Sequence, residues 1–171
     1  MAFPGLRFAA LTAALLCSAA CSRQAHTSVT AAIDSGNVCD RRLLTVDDVG
    51  GILGEPITGT APLEGDAQTC YFVTATTDRA GGPEIMISLR RGVGKITVQT
   101  WEDGRLDTPA TRVAGVGDSA VWIAATKELN AEKNDLLCVA GMGGSALTRQ
   151  SEDLERKLGG LCNTIFSRVG S

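Results

Sequence analysis

A chain of 171 residues leaves room for one domain once an export leader is set aside. With 44% apolar and 20% charged residues it has the composition of a globular protein able to bury a core. A net charge of −3 at pH 7 excludes the broad positive field that nucleic-acid binding requires.

The N-terminus reads as a leader. Arg7 supplies the positive charge, residues 8–20 (FAALTAALLCSAA) form an apolar run, and Ser18-Ala19-Ala20 offers small side chains to a processing enzyme. The run is too short to cross a bilayer, which takes about 20 residues. A cysteine directly after two alanines is the pattern of a bacterial lipoprotein signal, with Ser18 where leucine is usual. The expected organisation is a signal peptide at 1–20, a lipid-anchor cysteine (Cys21) with a flexible tether through residue 37, and one domain over 38–171. Cys17 is a poorer anchor because bulky Leu16 precedes it. The alternative is an ordinary secretory signal cut nearby. Residues 22–37 (SRQAHTSVTAAIDSGN) carry no sustained apolar period, as a tether should.

Four cysteines remain beyond the anchor: Cys39, Cys70, Cys138 and Cys162. An even number in an exported chain suggests two disulfides. A metal site is not expected, since there is no Cys-x-x-Cys and the only histidine, His26, lies in the tether. Four cysteines permit three pairings. The expected one is Cys39–Cys70 and Cys138–Cys162. The first would staple a short helix to the strand that Cys70 opens. The second would join a strand face shared with Leu136 and Ala140 to the apolar stripe of the last helix.

In chain order, Thr45 is a helix N-cap, with Asp47 and Asp48 in the first turn and Leu44 and Val49 at the staple positions. Gly54 fits the C′ position and Pro56 prevents continuation, so the helix spans about 46–53. Gly50-Gly51 weakens it. Residues 70–75 (CYFVTA) are aromatic and β-branched, a strand. Residues 84–90 alternate, with Ile85, Ile87 and Leu89 on one face and Met86, Ser88 and Arg90 on the other. Residues 77–83 between them read as a hairpin loop. Residues 95–102 (KITVQTWE) mix β-branched residues with a helical Val98/Trp101 spacing, and a short helix is expected. Strands are expected at 111–116, 119–125 and 135–140, with polar residues 127–134 as the loop between the last two. The apolar stripe Leu154, Leu158, Leu161, Cys162, Ile165, Phe166, Val169 marks a C-terminal helix, capped by Thr148 or Ser151. Strands cluster without β–α alternation. The fold class is therefore α+β: a mainly antiparallel sheet with a short N-terminal helix and a long C-terminal amphipathic helix packed on it.

Cys39 before Leu43-Leu44-Thr45, then Ile52-Leu53-Gly54, Cys70-Tyr71-Phe72 and Val113-Ala114-Gly115-Val116-Gly117-Asp118-Ser119-Ala120-Val121-Trp122 occur ahead of a terminal amphipathic helix. This set resembles a large family of small actinobacterial lipoproteins whose domain has no assigned function. The resemblance covers about 39–169 and implies a secreted, membrane-tethered domain. It implies no catalytic residues.

No catalytic constellation stands out. There is no Gly-x-Ser-x-Gly and no Ser-x-x-Lys, and a Ser-His or Cys-His pair would have to use His26. Gly141-Met142-Gly143-Gly144 lacks the third glycine of a dinucleotide loop, and Gly115-Val116-Gly117-Asp118 reads as a turn. Asp47-Asp48 and Glu102-Asp103 are the carboxylate pairs a hydrolase could use. Trp101 and Trp122 could contact a ligand, and Arg90 and Arg91 an anionic surface or partner. No cofactor is expected. The function expected is a non-enzymatic, lipid-anchored binding or adaptor domain on the extracytoplasmic side of the cell membrane, taking an envelope protein or a small ligand. An accessory factor of a membrane complex without its own ligand is the alternative, and a hydrolase the third reading.

Overall fold

The structure is a computed structural model and describes residues 38–39, 43–76, 84–143 and 153–170. The leader, Cys21, the tether, the 77–83 loop and the proposed caps Thr148 and Ser151 lie outside the described residues.

The order of elements is α1 (Val46–Leu53), β1 (Ile57–Leu63), β2 (Asp66–Thr74), β3 (Glu84–Arg91), α2 (Gly94–Glu102), β4 (Thr111–Arg112), β5 (Ser119–Ile123), β6 (Glu128–Lys133), β7 (Leu136–Gly143) and α3 (Leu154–Gly170). All seven strands form one sheet in the order β1-β2-β3-β7-β6-β5-β4. Every neighbouring pair is antiparallel. The fold is the α+β arrangement expected, with α1 on the N-terminal side and the long α3 closing the chain.

α1 forms for local reasons. The Thr45 hydroxyl accepts from the Asp48 N–H at 3.2 Å, and the Asp48 carboxylate accepts from the Thr45 N–H at 2.6 Å. This reciprocal box satisfies two end donors that the helix cannot. Gly54 ends the helix in the left-handed region at φ 69°.

Strand alternation then sorts side chains onto two faces. Ile85, Ile87 and Leu89 of β3, Leu129 and Ala131 of β6, and Leu136, Cys138 and Ala140 of β7 face one way, into the main core with α1 and α3. Leu158, Cys162 and Ile165 of α3 are fully buried there. Disulfides Cys39–Cys70 and Cys138–Cys162 are present, the pairing expected. The opposite face carries α2, whose Val98 is buried against Val121 and Leu137 in a smaller cluster.

Two expectations needed correction, and one strand was not foreseen. Residues 127–134 are not a loop: Glu128–Lys133 is strand β6, with Leu129 through Glu132 all buried. Its polar members face the α2 side, where Glu132 accepts from the Ser119 hydroxyl at 3.2 Å. The strand expected at 111–116 is only Thr111–Arg112, because Gly115 and Gly117 turn the chain with positive φ. Strand β1 had no sequence signal: Gly59 and Pro62 are poor strand residues, tolerated because β1 is an edge.

One ion pair ties α3 to α1. Arg168 donates to the Asp48 carboxylate at 2.7 and 3.2 Å and to the Leu43 carbonyl at 2.8 Å. The hydrogen bond from Arg168 lowers the Asp48 pKa to about 2, with the Thr45 bonds adding to it against the opposing effect of burial. A depressed carboxylate stabilises the fold above its unfolded pKa and loses that contribution as pH falls through the folded value. Arg168→Met is therefore expected to cost about 1–2 kcal/mol at pH 7, allowing for solvent screening. The difference from wild type should shrink between about pH 4 and pH 2. Urea melts of both proteins across that range check it, and a pH-independent difference would contradict it.

Candidate functional site

The expected site residues do not converge. Trp122 lies on the main-core side of β5, packed against that core. Trp101 sits on α2 on the other side of the sheet. Arg90 and Arg91 are neighbours on a strand and so face opposite ways. Arg90 pairs with Asp66 at 2.9 Å on the α2 side. Arg91 lines a cleft of about 300 Å³ with Lys133, Leu136 and Phe166 near the end of α3. The basic cluster of the sequence is thus split by the sheet.

The α2 side holds the exposed apolar surface. Five large apolar side chains are exposed among the described residues, and three of them, Val93 at 36%, Ile96 at 66% and Leu106 at 42%, lie on or beside α2. Ile96, Thr97, Thr100, Trp101 and Leu106 line an open depression of about 190 Å³. That is smaller than the roughly 300–1,000 Å³ of a small-molecule site. α2 is seated closely, since a Cβ on Gly94 would fall 2.9 Å from the Leu137 amide nitrogen.

α2 packs on β5, β6 and β7. Beside it on the same face, where no helix lies among the described residues, register sets Tyr71, Met86, Gly141 and Glu128 in one row across the sheet. Val73, Glu84 and Gly143 form the row on one side, and Thr69, Ser88 and Val139 the row on the other. Burial pushes the Glu84 carboxyl above the usual carboxylate range. Tyr71 is also raised, by burial first and then by the charges of Glu84 and Asp66. Ser88 is 6% exposed, and its hydroxyl has no hydrogen-bond partner. Of these residues the sequence placed only Met86 and Ser88 together, with Arg90, on the face of β3 opposite Ile85, Ile87 and Leu89. The available signal was that this face carries Met86 and Ser88 beside Arg90, and that the lone tyrosine stands on the preceding strand.

Other candidates resolve into structure. Asn163 of α3 accepts from the Gly117 N–H at 3.0 Å and donates to the Gly115 carbonyl at 2.9 Å. The Asp118 N–H bonds the Glu132 carbonyl at 2.8 Å, and its carboxylate accepts from the Asn134 N–H at 3.0 Å. The Gly-Val-Gly-Asp turn is thereby clamped between α3 and β6, with Val116 buried beneath it. Gly141 and Gly143 lie within β7, not in a helix-leading loop. Glu102 pairs with Arg112 at 2.8 Å and Asp103 with Arg105 at 3.1 Å. Among the described residues no three His, Cys, Asp or Glu side chains are grouped to hold a metal, and no helix is long and apolar enough to cross a membrane.

No protein-family model, curated protein or solved structure matches the chain.

Proposed function

We propose that this chain is a non-enzymatic adaptor, anchored by lipid at Cys21 to the extracytoplasmic side of a bacterial cell membrane, whose domain docks an envelope protein through its α2 side. The leader pattern and Cys21 support the compartment. So does the resemblance to small actinobacterial lipoproteins. The observation that carries the binding role is the grouping of exposed Val93, Ile96 and Leu106 on or beside α2, where Ile96 and Leu106 share a depression with Trp101. Exposed apolar residues gathered in one place mark interaction surfaces, whereas scattered ones need no explanation. The depression is shallow and open, which suits a protein surface better than an enclosed small molecule.

Chemical crosslinking in intact membranes tests this. Ile96→Asp with Leu106→Asp should remove the crosslinked partner while shifting stability by less than about 0.5 kcal/mol, since both side chains are exposed. Undiminished crosslinking would sink the docking role. In the same cells Cys21→Ala should release the protein from the membrane fraction or block its processing; wild-type fractionation would sink the anchor.

A further inference from the structure

We propose that the half of the sheet beside α2, which carries no helix among the described residues, seats a cationic, amphipathic segment of the partner protein; this rests on the adaptor reading above. Two halves of a sheet with two faces make four positions for a helix. α1 packs near β1 and β3, α3 on β6 and β7 on the same face, and α2 on β5, β6 and β7 on the other. The fourth position, over β2 and β3 on the α2 side, has no helix among the described residues.

That surface carries a floor and an unpaired carboxylate. Gly141 and Gly143 of β7 form a lane over which neighbouring side chains lie flat. A Cβ on Gly141 would come within 3.0 Å of Glu128 Cγ and 3.4 Å of Met86 Cε, and one on Gly143 would overlap the Glu84 carboxylate. Tyr71, Val73 and Met86 are half-buried, leaving apolar surface for an occupant. Asp66 and Arg90 satisfy each other. Glu128 accepts from the Thr126 hydroxyl at 3.2 Å, which leaves its charge unbalanced. Glu84, half-buried, has no hydrogen-bond or ion-pair partner among the described residues. A desolvated carboxylate without a partner is costly. That cost is relieved by an occupant that brings a cation to Glu84 and Glu128. The occupant also needs apolar side chains, to meet Met86 and Tyr71 beside its basic group.

A photo-crosslinking side chain placed at Met86 of the anchored full chain, irradiated in intact membranes, tests the assignment. The expected product joins the domain to a polypeptide segment that contains Lys or Arg near the crosslinked residue. Glu84→Gln with Glu128→Gln should cut the yield about tenfold, with a melting temperature no lower than the parent's. A product with lipid alone, a polypeptide segment without basic residues, no product, or an undiminished yield in the Glu84→Gln/Glu128→Gln protein would each overturn it. If Ile96→Asp with Leu106→Asp still abolishes partner crosslinking while Met86 yields nothing, the adaptor reading stands and only this seat is wrong.

Discussion

Breaking both disulfides is expected to cost about 7 kcal/mol, roughly 3.5 kcal/mol for each bridge by the chain-entropy argument. The bridges span 31 and 24 residues. That loss is comparable to the whole stability of a typical domain, about 5–15 kcal/mol, so the reduced protein should be largely unfolded near body temperature. Cys70, Cys138 and Cys162 are fully buried, so a reductant should act slowly on the folded protein and quickly in mild urea. Urea melts of Cys39→Ala/Cys70→Ala and Cys138→Ala/Cys162→Ala apportion the loss. The second pair should melt earlier than entropy alone dictates, because it also leaves a void between α3 and β7. Melts unchanged by either pair would show that the bridges contribute little, and non-reducing peptide maps should contain only the two pairings described.

Glycine substitutions should divide sharply into two classes. Gly117→Ala is expected to destabilise by about 3–5 kcal/mol. Its φ is +58°, and an added Cβ would overlap the Glu132 carbonyl and approach the Phe166 ring to 3.0 Å. The turn cannot move aside without giving up the Asn163 clamp. Gly159→Ala should cost about 1–3 kcal/mol, since its Cβ would fall 2.7 Å from Val116 Cγ2. Gly50, Gly51 and Gly160 are helical with nothing within 4 Å of an added Cβ. Alanine at each should stabilise by about 0.5–1 kcal/mol, by favouring the helix and restricting the unfolded chain. Thermal melts of the five variants decide it. A neutral Gly117→Ala would mean that the Gly-Val-Gly-Asp turn reforms elsewhere, and a destabilising Gly51→Ala would mean that α1 is held in a strained geometry.

What the sequence made legible was set by local chemistry. The Thr45–Asp48 box, the Gly54 stop, the alternation of β3 and the apolar stripe of α3 each follow from residues within a few positions of one another, and each is present. β6 was missed because Glu128, Asn130 and Glu132 look like solvent residues. Asn130 and Glu132 are buried on the face that α2 covers, and only tertiary structure supplies that cover. The β3–β7 pairing left no local mark, since its partners are some fifty residues apart in the chain. The opposed directions of Arg90 and Arg91 were implicit in the two-residue period once β3 was extended to include both. The separation of Trp101 from Trp122 was not, because it depends on which face α2 lands on. The half of the sheet beside α2 is likewise invisible in one dimension: Tyr71, Glu84, Met86 and Ser88 come together only through strand order and register.

The joint between β3 and β7 has a wider meaning for the molecule. Each disulfide closes within one end of the chain, and each end has its own run of adjacent strands. The ends are nonetheless interlocked. They zip along eight residue pairs from Glu84↔Gly143 to Arg91↔Leu136, α2 crosses over to lie on strands of the later end, and Arg168 reaches back to Asp48. Neither end can open without stripping cover from the other. The domain thus behaves as a clasp with two riveted arms: the crosslinks make each arm durable, but only their mutual closure makes a single cooperative body.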